Sequence, residues 1–327
     1  TLGGSWDFEK LKSFDLDLLV DIGFDQIDLA HLWDEELEVK DENFDVEEEL
    51  KKIKTPKTKL GDLIYLGPHK LLCGSSTDPK NLKRLFGDEK ASMIYSDPPY
   101  NINLDYSKGI GGKKDYGGNV NDKRTYEEYK NFIKETLVTA LSVTAANSHI
   151  FYWCDQTYIG LIQELYRELG IVNKRVCLWL KNSQNPTPKV AFNKCYEPVV
   201  YGVLGKPYIT PNINNLNEVL NKEMTTGNNL FAEASDELDI WLVKRLSGQK
   251  YEHATSKPPK LHEKAIRRCS RPGDIILDSF SGSGSTIIAS EQLKRKVYAI
   301  ELEPIFCDLT IRRYEKLTGR KAKVDHV

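Results

Sequence analysis

The sequence has no apolar run long enough to cross a membrane. A spanning helix needs about 20 consecutive, mostly apolar residues, and charged residues, 29% of this chain, interrupt every apolar stretch. The first ten residues, TLGGSWDFEK, also lack the basic and apolar regions of a signal peptide. We therefore expect a cytoplasmic protein without a membrane partner.

Cysteine motifs are missing as well. The cysteines are scattered, with no CxxC pair and no histidine cluster beside them; they occupy positions 73, 154, 177, 195, 269 and 307. Zinc sites and disulfide frameworks both require closely patterned cysteines. The sequence thus predicts no metal site, and it predicts reduced thiols packed as small apolar side chains.

Positive charge is scarce at one end of the chain. Residues 1–60 carry 8 Lys/Arg against 17 Asp/Glu, whereas the remaining residues carry 38 against 31. Short apolar clusters alternate with acids up to about Leu50, which is typical of small amphipathic helices. We predict a small α-helical appendage with its linker at 1–58, and a body at 59–327 that is suited to a polyanion.

Beyond residue 60, short β-rich runs alternate with helical stretches. Seven such runs cover residues 69–76, 91–96, 149–155, 175–181, 197–204, 274–280 and 295–302. Continuous apolar strands between helices are typical of parallel sheets that are covered on both faces. We predict an α/β fold with a doubly wound, mostly parallel sheet and with ligands at the carboxyl ends of its strands.

One strand-turn-helix-strand unit is complete within 274–304, DIILDSFSGSGSTIIASEQLKRKVYAIELEP. Gly282 and Gly284 let the backbone approach a ligand closely, although a bare glycine pair also suits a tight structural turn. Glu301 ends the second strand, 23 residues after Asp278, where its carboxylate can accept hydrogen bonds from ribose hydroxyls. The third glycine of the dinucleotide fingerprint is absent, so the unit favours a nucleoside cofactor without a pyrophosphate.

A second strand end is unusual, because the run SMIYS is followed by Asp97-Pro98-Pro99-Tyr100. Proline fixes φ and donates no N–H, so the pair stiffens the loop and leaves carbonyl oxygens as unpaired acceptors. Acceptors on Asp97 and on the Pro98 carbonyl, beside the Tyr100 ring, describe a receptor for a flat group that bears an amine. The alternative is a structural loop in which the prolines only end the strand.

Three motifs together resemble the amino-group DNA methyltransferases: SDPPY (96–100), HATSKP (253–258) and LDSFSGSGST (277–286). The catalytic tetrapeptide precedes the glycine motif, an order similar to that of the family's permuted β group. The resemblance implies a seven-stranded sheet with one reversed strand, and S-adenosylmethionine as the cofactor.

Carried over by position, the family's motifs imply roles for residues of this chain. Asp97, Pro98 and Tyr100 would hold the target amine, and Pro99 would shape the loop. Further residues would contact the cofactor; they are Cys73, Ser75, Thr255, Lys257, Asp278, Phe280, Gly282, Gly284, Ser285, Thr286 and Glu301. The family often has aspartate at the position of Ser75, where this chain departs from it.

The resemblance also implies the reaction, which is methyl transfer to an exocyclic amine of double-stranded DNA after the base has been flipped out of the helix. Within the family, DPPY usually marks adenine, whereas cytosine-N4 members more often carry serine in place of aspartate. Asp97 therefore predicts adenine-N6 specificity, with cytosine-N4 as the alternative. A non-catalytic, partition-type DNA-binding protein is the alternative from another class.

Basic and amide side chains indicate where DNA would bind. Residues 174–194 contain five Lys/Arg and no acid, and a strand that ends near Lys181 would place a polar loop on the catalytic rim. The predicted phosphate and base contacts are Lys181, Asn182, Gln184, Lys189 and Lys194. The family's position for target recognition falls at about 205–252, although this segment holds 5 Lys/Arg against 7 Asp/Glu.

The acidic appendage resembles, over WDFEKLKSFDLDLLVDIGFDQIDLAHLWD, the helical tail of the ParB-like module that precedes many phage-type methyltransferases. Its negative charge would repel phosphate, which favours packing, dimerisation or a protein partner over DNA binding. A phage or restriction-modification setting and a possible homodimer are the matching expectations.

Overall fold

The structure is a computed structural model that describes residues 10, 14, 16–24, 37–40, 42–103, 122–185, 194–210, 238–243 and 257–326, the side chains of 16, 17, 20 and 182–185 excepted. Its strands are β1 (Leu63–Leu66), β2 (His69–Cys73), β3 (Ala91–Ser96), β4 (Thr144–Trp153), β5 (Val172–Asn185), β6 (Lys194–Leu204), β7 (Ile240–Leu242), β8 (Ile275–Asp278), β9 (Lys296–Glu301) and β10 (Lys323–Asp325).

The helices of the described residues alternate with these strands. They are α1 (Leu16–Asp21), α2 (Val46–Lys51), α3 (Pro79–Phe86), α4 (Tyr126–Ser142), α5 (Ile159–Glu168), α6 (Pro259–Cys269), α7 (Ser285–Gln292) and α8 (Pro304–Thr318). The longest, α4, begins with a capping box, in which the Thr125 hydroxyl accepts from the Glu128 N–H and the Glu128 carboxylate accepts from the Thr125 N–H. No helix in the described part of the chain combines the length and apolar character needed to span a bilayer.

All ten strands join one mixed sheet in the order β10-β1-β2-β9-β8-β3-β4-β6-β5-β7. The seven predicted strands are contiguous in it, and β6 runs antiparallel to both of its neighbours. The prediction of seven strands is therefore wrong in number, because β1 and β10 extend one edge and β7 extends the other. These three strands have only three or four residues each, too few for a periodic pattern to stand out from the flanking loops.

Helices cover both faces of the sheet, as the α/β pattern predicts. Consecutive residues of β3 point to opposite faces, so that Tyr95 lies in one apolar cluster and Ile94 in the other. The cluster around Tyr95 includes α6 and α7, and the cluster around Ile94 includes α3, α4 and α5. This doubly wound arrangement brings the carboxyl ends of the parallel strands to one edge, where the candidate site lies.

Residues 42–58 pack against α8. A small apolar cluster forms there from Phe44, Val46, Leu50, Ile53 and Leu309. Polar contacts reinforce it, since the backbone N–H groups of residues 57 and 58 donate to the Asp308 carboxylate at 2.6 and 3.1 Å. Arg313 of α8 also forms a buried ion pair with Glu42.

Candidate active site

The glycine turn (residues 279–284) and the proline corner (residues 97–100) follow neighbouring strands. β3 and β8 pair in parallel with Ile94 opposite Leu277. Both strands end within a few residues of this pair, so Asp97 and the turn at 279–284 leave the same edge of the sheet side by side. The two motifs, almost 200 residues apart in sequence, thus meet at one place.

The glycines of the turn adopt left-handed backbone conformations, with φ of 52° at Gly282 and 77° at Gly284. A Cβ atom on Gly284 would lie 2.6 Å from the Thr310 side chain of α8. No side chain fits there without moving the helix. The Gly282 N–H donates to Glu301 Oε2 at 2.7 Å, which fastens the turn to the end of β9.

Two acids of this unit accept backbone hydrogen bonds, and of these Asp278 is buried while Glu301 is partly exposed. Asp278 is 3% exposed, and its Oδ1 accepts from the Phe280 N–H at 3.1 Å. Glu301 Oε1 accepts from the Glu303 N–H at 2.9 Å. Burial raises the pKa of both carboxyl groups to about 7, because the charged form loses its hydration.

At the start of α7, Ser285 joins a buried hydrogen-bond chain. Its Oγ lies 2.9 Å from His262 Nε2, and His262 Nδ1 lies 3.1 Å from the Tyr95 hydroxyl. Burial lowers the pKa of His262 to about 3, with Lys257 acting in the same direction, so the imidazole is neutral. These hydrogen bonds link the glycine turn to β3, the strand that precedes the proline corner.

The two predicted cofactor residues near the end of β2, Cys73 and Ser75, lie in different surroundings. Cys73 is fully buried in the core and pairs with Glu301 across β2 and β9. Ser75 lies in the turn that follows, where its hydroxyl is 2.8 Å from Thr77 Oγ1. The Asn81 side chain donates to the Ser75 carbonyl at 3.0 Å and so fixes this turn.

The proline corner is held by hydrogen bonds on both sides. Tyr129 of α4 donates its hydroxyl to the Pro99 carbonyl at 3.0 Å. Among the described residues, none donates a hydrogen bond to the Pro98 carbonyl. Just after the corner, Asn101 has a φ of 56°, and its N–H donates to Asp122 Oδ1 at 2.7 Å.

Asp97 and Tyr100 lie in a cluster of charged side chains. The Tyr100 hydroxyl donates to Asp97 Oδ1 at 2.7 Å, and it is 3.3 Å from Glu197 Oε2. Lys257 donates to Asp97 Oδ2 and, at 2.8 Å, to the Tyr100 hydroxyl. Glu197 in turn pairs with Lys181 of β5. Burial raises the pKa of Asp97, although the Lys257 ammonium opposes that shift.

Two of the predicted DNA-contacting lysines, Lys181 and Lys194, lie at the same edge. Lys181 pairs with Glu197, and Lys194 pairs with Asp155 just after β4. β5 continues to Asn185 and pairs there with Lys194, so the prediction that this strand ends near Lys181 is wrong. The alternation is lost in the polar run NSQN, which gave no sign of a strand.

Some predicted residues lie outside the described part of the chain. These are Thr255 and Lys189, together with the side chains of Asn182 and Gln184. Of the predicted target-recognition segment, residues 205–210 and 238–243 are described, and the latter contain β7, whose Trp241 is buried in the core.

Sequence reasoning missed Glu197 altogether. Its place at the active edge follows from the reversal of β6, which brings the start of this strand next to the ends of β4 and β5. An acid at the head of the apolar run EPVVYGVL was the available signal. Lys257 was assigned to the cofactor segment, and the structure places its ammonium on the proline corner.

Three of the buried cysteines remain neutral thiols. Burial raises the pKa of the Cys154, Cys177 and Cys269 thiols to about 12, which keeps them protonated. Within the described residues, no group of three or more His, Cys, Asp or Glu side chains could hold a metal ion.

The fold is an α/β sheet in which the proline corner and the glycine turn share one edge. The sequence from residue 91 to 312 matches the N6_N4_Mtase family model, described as DNA methylase. The chain belongs to this family.

Individual relatives are distant. The type II methyltransferase M2.MboI of Moraxella bovis is 29% identical over 247 residues, which cover 71% of this chain and 84% of the relative. The DNA adenine methyltransferase YhdJ of Escherichia coli K12 is 23% identical over 242 residues, covering 69% and 77%.

Solved structures share the fold. The M1.HpyAVI–SAM complex superposes with a TM-score of 0.52 and 22% identity, covering 74% of this chain and 97% of the other. The cytosine-N4-specific PvuII DNA methyltransferase superposes with a TM-score of 0.55 and 15% identity, covering 77% and 91%.

Proposed function

We propose that the chain is a site-specific DNA methyltransferase that transfers a methyl group from S-adenosylmethionine to N6 of adenine in double-stranded DNA. The observation that carries the proposal is the adjacency of the proline corner and the glycine turn at the ends of β3 and β8. An amine receptor and a cofactor turn on neighbouring strands bring donor and acceptor into one site, which supplies the proximity that group transfer requires.

The residues of the turn suit S-adenosylmethionine. Glu301 can accept hydrogen bonds from ribose hydroxyls, and Ser281 Oγ is buried without a hydrogen-bond partner among the described residues. The pKa values of the Asp278 and Glu301 carboxyl groups are raised, and their charged forms gain from a ligand that brings hydrogen-bond donors and positive charge. When bound, the cofactor supplies an electrophilic methyl group on a sulfonium.

The proline corner prepares the amine for attack. The Asp97 carboxylate and the Pro98 carbonyl would accept the two amino hydrogens, which draws the nitrogen lone pair out of conjugation with the ring. The Tyr100 ring would stack on the flipped base. Orientation and preorganised acceptors are sufficient here, and no covalent nucleophile is needed.

Adenine is the proposed target because the tetrapeptide begins with aspartate. The similarity to a DNA adenine methyltransferase supports this choice. The fold itself is shared with a cytosine-N4 enzyme, so cytosine remains the second candidate. Incubating unmethylated DNA with the protein and S-adenosylmethionine, and then digesting the DNA to nucleosides, would yield N6-methyl-2′-deoxyadenosine if we are right. N4-methylcytosine would overturn the choice of base, and unmodified DNA would overturn the function.

The finer assignments are proposals of the same kind. Motif order supports membership of the permuted β group, and the acidic residues before 59 support a phage-type appendage. Lys181, Lys194 and the segment 205–252 are the proposed DNA-facing elements, which would associate the protein with the nucleoid. Sequencing DNA from cells that express the chain would give the modified base and the recognised site together.

A further inference from the structure

Both oxygens of Asp97 already accept hydrogen bonds in the structure. Oδ1 accepts from the Tyr100 hydroxyl at 2.7 Å, and Oδ2 accepts from the Lys257 ammonium. Each carboxylate oxygen can accept a second hydrogen bond, but Lys257 already lies over the Tyr100 ring at Oδ2, so an amine that docks there takes its place.

Lys257 is the donor that resembles the amine. Its nitrogen carries hydrogens, donates to Asp97 and lies 5.2 Å from the Tyr100 ring centroid and 4.6 Å from that of Trp153. The side chain is only 7% exposed, so it is held inside the site. A cation between a carboxylate and two aromatic rings is well stabilised.

A second acceptor lies within reach of both donors. Glu197 Oε2 is 3.5 Å from the Lys257 ammonium and 3.3 Å from the Tyr100 hydroxyl. Glu197 is fixed on β6, where it stands opposite Trp179 of β5. A small shift of the flexible Lys257 side chain would therefore move its ammonium from Asp97 to Glu197, and the ammonium would stay paired with a carboxylate throughout.

We propose that Lys257 occupies the amine position on Asp97 until a base enters, and that it then moves to Glu197, which makes both of them positioning residues of the methylation site. This inference rests on the proposed function. It explains why two carboxylates share a buried ammonium at a site that needs only one carboxylate for the amine. Without Glu197, the displaced ammonium would lose its charged partner in a poorly hydrated place.

The charge on Lys257 would also set the pH range of the reaction. Asp97 faces Lys257, Glu197, Tyr95, Tyr100, Cys154 and Asp278. Among them, Lys257 supplies the positive charge that opposes the rise in the pKa of Asp97 on burial. Removing this charge should raise the pKa of Asp97 further, so that its carboxylate forms only at higher pH.

The test compares Lys257→Met, Lys257→Arg and Glu197→Gln with wild type. Initial rates on unmethylated DNA from pH 5.5 to 9 give kcat and the KM for DNA, and calorimetry gives the Kd for S-adenosylmethionine. We expect Lys257→Met to move the acid limb of the kcat profile upward by about one pH unit or more, and Lys257→Arg to restore it. Glu197→Gln should raise the KM for DNA about tenfold with an unchanged cofactor Kd. Lys130→Met, which removes the ion pair between α4 and Glu164 of α5, is the control.

An unshifted acid limb in Lys257→Met, or an unchanged KM in Glu197→Gln, would overturn the inference while leaving the function intact. Carbon-13 NMR titration of the Asp97 carboxyl, assigned with Asp97→Asn, gives a readout that needs no turnover. If wild type methylates no DNA, the proposed function fails, and the titration of Lys257→Met still decides whether Lys257 controls Asp97: an unchanged Asp97 titration refutes the pairing.

Discussion

The glycine turn and the proline corner are built in different ways. Nearly all contacts of the glycine turn come from residues 278–313, a single stretch of chain that forms β8, α7, β9 and part of α8. The proline corner draws its partners from α4, β6 and the start of α6, which lie 30, 97 and 157 residues further along the sequence.

This difference separates two kinds of site. The glycine turn depends on backbone shape, because its glycines occupy conformations and spaces that other residues cannot. The proline corner depends on charge, because two acids and two lysines from separate elements neutralise one another there. Substitutions in the turn should therefore act through cofactor binding and stability, and those in the corner should act through turnover.

The largest effect is expected from Asp97→Ala. Losing the acceptor for the amine should lower kcat at least about 10³-fold, while the Kd for S-adenosylmethionine stays within about twofold, because Asp97 makes no contact with the glycine turn. Tritiated methyl transfer and calorimetry measure the two quantities. Undiminished turnover would remove Asp97 from the mechanism.

Asp278→Asn should change the pH dependence of stability. The pKa of Asp278 is about 7 in the folded chain against 3.8 for an exposed aspartate, so the folded state retains a proton that the unfolded state releases. The resulting stabilisation is complete below about pH 4 and is lost as the pH rises through 7, a change of about 4 kcal/mol.

Asn does not titrate, so the stability of the variant relative to wild type should increase by this amount between pH 4 and pH 8. Urea unfolding at several pH values measures it. Glu127→Gln, on the exposed face of α4, is the control and should show a constant offset from wild type. A constant offset in Asp278→Asn as well would contradict the prediction.

Gly284→Ala should have the next largest effect and lower the free energy of unfolding by about 3 kcal/mol. The new Cβ would be strained by the left-handed backbone and would also lie too close to the Thr310 side chain. Gly282→Ala carries the strain alone, because nothing lies within 4 Å of its Cβ position, and about 1 kcal/mol is expected. Gly170→Ala has a similar φ of 74° and open space far from the turn. It should match Gly282→Ala in stability and leave cofactor affinity unchanged.

The sequence was more informative about the turn than about the corner. Gly282, Gly284 and Glu301 could be placed because a strand, a helix and a second strand follow one another without interruption. The partners of Asp97 could not be placed from the sequence. Glu197 reaches the site only because β6 is reversed, and no local pattern reveals which strand is reversed. Likewise, Lys257 was read as part of a cofactor segment because its neighbours in sequence, and not in space, suggested a role.

The segment before residue 59 allows a test of whether residues outside 278–313 help to fix the conformation of the glycine turn. Arg313 donates to the Ser283 carbonyl at 2.9 Å while it forms a buried ion pair with Glu42. Glu42 therefore connects the N-terminal segment to the glycine turn through one side chain. Ile53 is buried in the same segment and contributes only apolar packing to the cluster against α8.

Glu42→Gln keeps a hydrogen-bond acceptor for Arg313 and loses the charge, so the turn should become less well fixed. We expect the Kd for S-adenosylmethionine to rise about fivefold, which corresponds to about 1 kcal/mol. Ile53→Val should cost a similar amount of unfolding free energy, about 1 kcal/mol, with no change in the Kd. Calorimetry and urea unfolding of both variants separate the two effects. Equal cofactor affinity in Glu42→Gln and wild type would mean that the turn holds its shape from residues 278–313 alone, apart from any contribution by the acidic segment.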